Sequence, residues 1–234
     1  MQIIVDSISK KLGSVHTLDN ISLQVNKQEF VVILGPSGCG KSTLFNIISG
    51  LIKPDSGKIL INNENLTGKT GRISYMQQKD LLLPSRRLLD NVSVPLVLKG
   101  MGPKEARTLA SQYLPVFGLE EFAHHYPGQL SVGMRQRAAL LRTYLFSSEF
   151  LLLDEPFASL DAISRRKMHL WLQEMQELFH SAILFITHDI DEALLLADRI
   201  YIFSARPARV KKEIEITPAT DKAAIKADIL ALLD

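Results

Sequence analysis

Two stretches of the chain carry residue types suited to phosphate chemistry. "GPSGCGKST", residues 35–43, fits a Gly35-x4-Gly40-Lys41-Ser42 pattern. Glycines let backbone N–H groups curl around phosphate oxygens, and a helix starting there adds the positive end of its dipole. A lysine at this spacing reaches the β- and γ-phosphates, and Ser42 offers a hydroxyl to Mg²⁺. The second stretch, "FLLLDEPFASLD", sets Asp154 and Glu155 directly after an apolar run. Carboxylates at the C-terminal edge of a buried strand face the crevice where α/β sheets bind ligands. There Asp154 suits the coordination of Mg²⁺, and Glu155 is placed to polarise an attacking water. "FITHDIDEA" repeats the plan, since an apolar run ends in Thr187-His188-Asp189. His188 then falls at the strand edge where a γ-phosphate would sit. By themselves these residues point to a nucleoside triphosphate and leave its use open.

Such residues act together only if strands and helices alternate to carry them to one edge of a sheet. The pattern does alternate. Candidate strands are "IIVD", "ISLQV", "EFVVILG", "KILIN", "RISYM", "FLLLD", "AILFIT", "RIYIF" and "RVKKEIEI". Helical periods lie in "KSTLFNIISGL", "PKEARTLASQYLPVFG", "VGMRQRAALLRTYLF", "AISRRKMHLWLQEMQELF", "IDEALLLAD" and the tail "DKAAIKADILALLD". This alternation predicts an α/β fold with a mostly parallel sheet. "FVVIL", "FLLL" and "AILFI" are continuously apolar, as strands buried on both faces are. Residues 88–131, by contrast, are helical, rich in Pro and Gly, and hold no strand candidate. They read as a helical subdomain inserted into a single domain, with 1–87 and 132–234 as the nucleotide-binding core.

Bulk properties exclude other classes. The chain has 234 residues, 46% of them hydrophobic, enough for one sizeable core. Its 27 Lys and Arg against 25 Asp and Glu leave a net charge of +2, which speaks against nucleic acid as a partner. Cys39 is the one cysteine, so no internal disulfide can form and a reducing compartment is expected. The start "MQIIVDSISKKLG" lacks the basic and apolar regions of a secretory signal. Charge breaks every apolar run well before the ~20 residues a membrane span needs. Membrane contact is therefore expected only through a partner.

Six motifs in order make the chain resemble the ATP-binding subunit of ABC transporters over essentially its whole length. They are "GPSGCGKST" (Walker A), "YMQQKDLLLP" (Q-loop), "LSVGMRQR" (signature), "LLLDEP" (Walker B), "SLDA" (D-loop) and "THD" (switch histidine). The resemblance implies a P-loop NTPase (RecA-like) core, an N-terminal antiparallel β part, and ATP with Mg²⁺ as cofactors. It assigns the phosphates to Gly35, Pro36, Ser37, Gly38, Cys39, Gly40, Lys41, Ser42 and Thr43. Ser42, Gln78 and Asp154 would hold the metal, Glu155 would be the general base, and His188 would contact the γ-phosphate. Gln78, rather than Gln77, matches the family's spacing to Pro84. Ser131, Gly133 and Asp161 would act across a head-to-tail homodimer that sandwiches two ATP molecules.

Three positions depart from the family. Val132 stands where the signature has a glycine. If that position needs positive φ, valine is strained by roughly 1–3 kcal/mol and restoring glycine should speed turnover; if it is helical, valine costs little. Leu12 stands where an aromatic usually stacks on adenine, with His16 as a possible substitute. Gln28 replaces the usual glycine before the strand that enters the phosphate loop.

The tail "FSARPARVKKEIEI" resembles importer ATPases for nitrate, sulfonates and taurine, and "YMQQKDLLLP" those of thiamine-precursor systems. That resemblance implies integral membrane permease subunits, an extracytoplasmic solute-binding protein, and a peripheral place on the cytoplasmic side of the cell membrane. Leu81 to Leu83 are either a wall for a permease helix or plain core. Three alternatives stay open: a non-transport ABC ATPase, a regulatory subunit impaired in hydrolysis, and a nucleotide kinase. Intact Glu155 and His188 argue against the second. "LSVGMRQR" would have no role in the third.

Overall fold

Successive side chains of the central strands enter two different cores. The computed structural model describes residues 2–233, so Met1 and Asp234, the ends of the domain read from sequence, lie outside the described residues. In the strand β3 (Phe30–Leu34), Phe30, Val32 and Leu34 face one core while Val31 and Ile33 face the other. The strands β7 (Phe150–Asp154) and β8 (Ala182–Thr187) divide their side chains in the same way. This two-sided burial is why their sequences are apolar without alternation.

The rest of the chain builds around them. A four-stranded antiparallel sheet holds β1 (Ile3–Leu12), β2 (Val15–Val25), β4 (Ser56–Ile61) and β5 (Glu64–Asn65), in the order β2-β1-β4-β5. The six-stranded sheet adds β6 (Ser74–Met76), β9 (Arg199–Phe203) and β10 (Val210–Glu215), in the order β10-β9-β3-β8-β7-β6. Only β10 runs antiparallel in it. The helix α1 (Lys41–Ile48) lies with the antiparallel sheet on one face. On the other lie α2 (Leu88–Leu98), α3 (Pro103–Ser111), α4 (Val132–Phe146), α5 (Ala162–Phe179), α6 (Ile190–Leu196) and α7 (Lys222–Leu233). No helix among the described residues is long and apolar enough to cross a membrane.

Among the elements that differ from the sequence expectation, two do so for a clear local reason. The first strand runs to Leu12, well beyond "IIVD", because a bulge with Ser7 at φ 55° interrupts its alternation without ending its pairing to β2. The helix predicted over residues 103–118 stops at Ser111. The ring of Pro115 would clash with the carbonyl four residues back, and Gly118 at φ 62° closes the segment.

Parallel register then aligns the functional strand ends. Leu34 of β3 pairs with Thr187 of β8, and Ile186 of β8 pairs with Asp154 of β7. The chain therefore leaves the sheet into Gly35, His188 and Glu155 at one edge.

Candidate functional site

The loop after β3 is shaped by glycine. Gly38 and Gly40 sit at φ 72° and 128°, and a Cβ on Gly40 would come within 2.9 Å of Thr17 and Leu18 side chains. Lys41 is buried, with Nζ donating to the carbonyl oxygens of Gly35 at 2.7 Å and Pro36 at 2.9 Å. A buried ammonium is costly unless anions balance it; the Asp154 carboxylate does so in part, and a bound phosphate would add to it. Lys41 lines a cleft of about 330 Å³ together with Ser37, Gly38, Ser42 and Thr43. Gly35, Pro36 and Cys39 do not line that cleft. Cys39 turns its thiol into the core, where burial pushes its pKa up.

Asp154, Glu155 and Gln78 line the same cleft. Asp154 is buried at the end of β7, and that burial raises its pKa. Hydrogen bonds from Ser42 and from the Tyr75 hydroxyl, 3.2 Å from Oδ2, pull it back down. Carboxylate, hydroxyl and amide oxygens form the hard ligand set that Mg²⁺ prefers, so Asp154, Ser42 and Gln78 fit the ion. Glu155 adopts a left-handed backbone, φ 44°, a conformation worth about 1–3 kcal/mol of strain in a non-glycine residue. Its Oε2 lies 3.2 Å from Nδ1 of His188.

Ser131, Gly133 and Asp161 are elsewhere. They line a separate cavity of about 570 Å³ between α4 and the start of α5. Ser131 caps α4 by accepting from Met134 N at 3.2 Å, and Asp161 caps α5 by accepting from Ile163 N and Ser164 N. Trp171 and Met168 both join this cavity's wall. Met168 also sits in the core, and Trp171 meets Phe117 edge-on at 5.3 Å.

Residues 18–158 match the family model described as ABC transporter. The chain belongs to the ABC transporter family. It is an ATP-binding cassette, the ATPase subunit of such a transporter. It is 44% identical over 228 residues to the formylaminopyrimidine import ATP-binding protein ThiZ of Halalkalibacterium halodurans, covering 92% of this chain and 89% of that protein. It is 42% identical over 217 residues to the taurine import ATP-binding protein TauB of Pseudomonas aeruginosa, covering 90% and 82%. The dimeric structure of the bacterial ABC transporter cassette MJ0796 superposes with a TM-score of 0.78 at 32% identity, covering 92% and 99%.

Val132 is the first residue of α4 and does not take a positive φ. The strained-loop expectation is therefore corrected: Ser131 makes the turn in extended conformation, and valine only begins a helix. Leu12 and Val15 are exposed across the β1–β2 hairpin, and His16 is close to Asp19, 4.0 Å between Nε2 and Oδ1. Gln28 sits at φ 62°, so it occupies a turn made for glycine.

Other residues of this ABC cassette site escaped the sequence. Tyr75 opens the Q-loop stretch, but nothing in its spacing betrays its bond to Asp154. Two arginines of α4 hold the Q-loop. Arg142 donates to the carbonyls of Asp80 and Leu81, at 2.6 and 2.8 Å, and Arg135 reaches Asp80 Oδ2 at 3.2 Å. Arg206 also lines the phosphate cleft.

Proposed function

We propose that this cassette binds and hydrolyses MgATP and that two copies close head to tail on two ATP molecules to drive a membrane importer. One observation carries the reading. The phosphate loop, Gln78, Asp154 and Glu155 share a single cleft, with His188 touching Glu155. In this reading Lys41 and the loop's N–H groups hold the phosphate charge. Glu155 accepts the proton of the attacking water, His188 orients that carboxylate and meets the γ-phosphate, and Gln78 positions the water. When bound by Ser42, Gln78 and Asp154, Mg²⁺ would neutralise charge on the phosphate chain.

The second copy follows from the separation of the two cavities. Ser131, Gly133 and Asp161 line a cavity that shares no residue with the chain's own phosphate cleft, so a partner would bring them to it. The dimeric state of MJ0796 supports this. The organisation we infer is one ATPase domain, with residues 1–87 and 132–234 as nucleotide-binding core and 88–131 as helical subdomain.

Integral membrane permease subunits would dock beside the Q-loop. Leu82 is buried there, but Leu83 lines an open apolar groove of about 420 Å³ with Leu51, Leu98 and Phe146. Such docking makes the protein peripheral on the cytoplasmic face of the cell membrane and links it indirectly to an extracytoplasmic solute-binding protein. The names of ThiZ and TauB favour a thiamine precursor or a small sulfonate such as taurine as solute, and the tail's resemblance to nitrate importers keeps nitrate beside them.

Glu155→Gln tests the chemistry. The variant should keep ATP binding and lose at least about a hundredfold in turnover. Near-wild-type hydrolysis would remove Glu155 from the role of base.

A further inference from the structure

The loop between β9 and β10, "SARPAR", is built against the phosphate loop. A Cβ on Gly35 would come within 2.9 Å of the Phe203 Cβ, so the glycine lets the end of β9 lie directly on the start of that loop. The six following residues are tied at both ends. Ser204 N donates to Arg209 O at 2.9 Å, and Arg209 N donates to Ser204 Oγ at 2.9 Å. Ala208 is zipped to β2: its N–H donates to Thr17 O at 2.9 Å, and its carbonyl accepts from Asp19 N at 2.9 Å. Arg209 pairs with Asp19. At the tip, Arg206 donates through Nη2 to the carbonyl oxygen of Gly38 and lines the phosphate cleft. That bond uses one of the five N–H donors of a guanidinium.

Charge gives this placement a purpose. Among the described residues, Lys41 and Arg206 are the cations lining the cleft, against the carboxylates of Asp154 and Glu155. A triphosphate adds several more negative charges, and even with Mg²⁺ bound one ammonium beside two carboxylates leaves the cleft net negative. We propose that Arg206 is a second cationic ATP-binding residue of this cassette, contacting the phosphate chain from the β9–β10 loop. The tied loop holds the Arg206 backbone beside the phosphate loop before ATP arrives, so less ordering is left to oppose binding.

The inference rests on ATP binding at this cleft, and its test separates the two. ATP is titrated calorimetrically into the full chain in EDTA, to prevent turnover, at low and high salt. Arg206→Gln should weaken ATP about tenfold at low salt, as loss of a charge-assisted contact does, and by clearly less at high salt, where screening already weakens it. Arg206→Lys keeps the charge and should recover most of the affinity. Unchanged affinity in R206Q would overturn the inference alone, since Lys41→Ala should still abolish binding. A loss in R206Q that is equal at both salts, or an R206K as weak as R206Q, would assign the effect to a disturbed loop and also overturn it. A wild-type chain that bound no ATP would overturn the functional reading together with this one.

Discussion

Nδ1 of His188 lies 3.2 Å from Oε2 of Glu155, although the two residues leave different strands. The contact exists because β7 and β8 are parallel neighbours in a register that ends both at the same edge. Glu155 is pinned from a second side, its N–H donating to Ile186 O at 3.0 Å. His188→Ala should therefore cost turnover through a misplaced carboxylate as well as a lost γ-phosphate contact. We expect a fall on the order of a hundredfold or more in ATP turnover, with ATP affinity near wild type. Wild-type turnover in this variant would contradict the pairing.

Tyr75 and Asp154 give a prediction in which pH matters. Burial raises the Asp154 pKa, and the Tyr75 hydrogen bond stabilises its ionised form. Tyr75→Phe removes that bond, so the carboxyl holds its proton to higher pH and competes less well for Mg²⁺. The Mg²⁺ concentration for half-maximal turnover should rise about three- to fivefold, and the deficit should widen as pH is lowered. A magnesium dependence identical to wild type at every pH would count against Asp154 as a metal ligand.

Val132→Gly is predicted to bring no gain. The residue opens α4, where glycine is the poorer helix former by roughly 0.5 kcal/mol. Turnover of the variant should equal or fall below wild type, and its thermal midpoint should drop slightly. A several-fold rise in maximal ATPase would restore the strained-loop reading.

Gln28→Gly should stabilise the protein. Gln28 is exposed at φ 62°, a conformation that costs a non-glycine residue about 1–2 kcal/mol, partly offset by the extra freedom glycine has when unfolded. The backbone carbonyl that accepts from Gln176 Nε2 at 3.0 Å is kept. A net gain of about 0.5–1 kcal/mol would raise the melting midpoint by roughly 1–4 °C in a chain of this size. An unchanged or lower midpoint would argue against strain at this turn.

The parts legible in the sequence were those that local pattern controls. The β3, β7 and β8 runs announced themselves by continuous apolarity, and α4 and α5 begin where Ser131 and Asp161 can cap them. The motif residues were legible because their spacing is local too. What escaped depends on contacts between distant segments. Arg206 reaches Gly38 across 168 residues and Tyr75 reaches Asp154 across 79, distances over which periodicity carries no signal. Val132 escaped for another reason. Its φ depends on whether the loop or the helix owns it, and a single residue type does not decide that. The bulge at Ser7 hid half of β1 by breaking the alternation that marks a strand.

Two copies should close on ATP, because each chain holds Lys41 in one cavity and Ser131 in another. Size-exclusion chromatography with light scattering on Glu155→Gln, with and without MgATP, tests it most directly. Slowed hydrolysis should trap the closed form, since a ligand that binds the dimer better must favour it by mass action. We predict a monomer without nucleotide and a dimer of twice the mass with MgATP, reverting to monomer with MgADP. A monomer under all conditions, across a wide range of protein concentration and with ATP binding confirmed, would contradict the account.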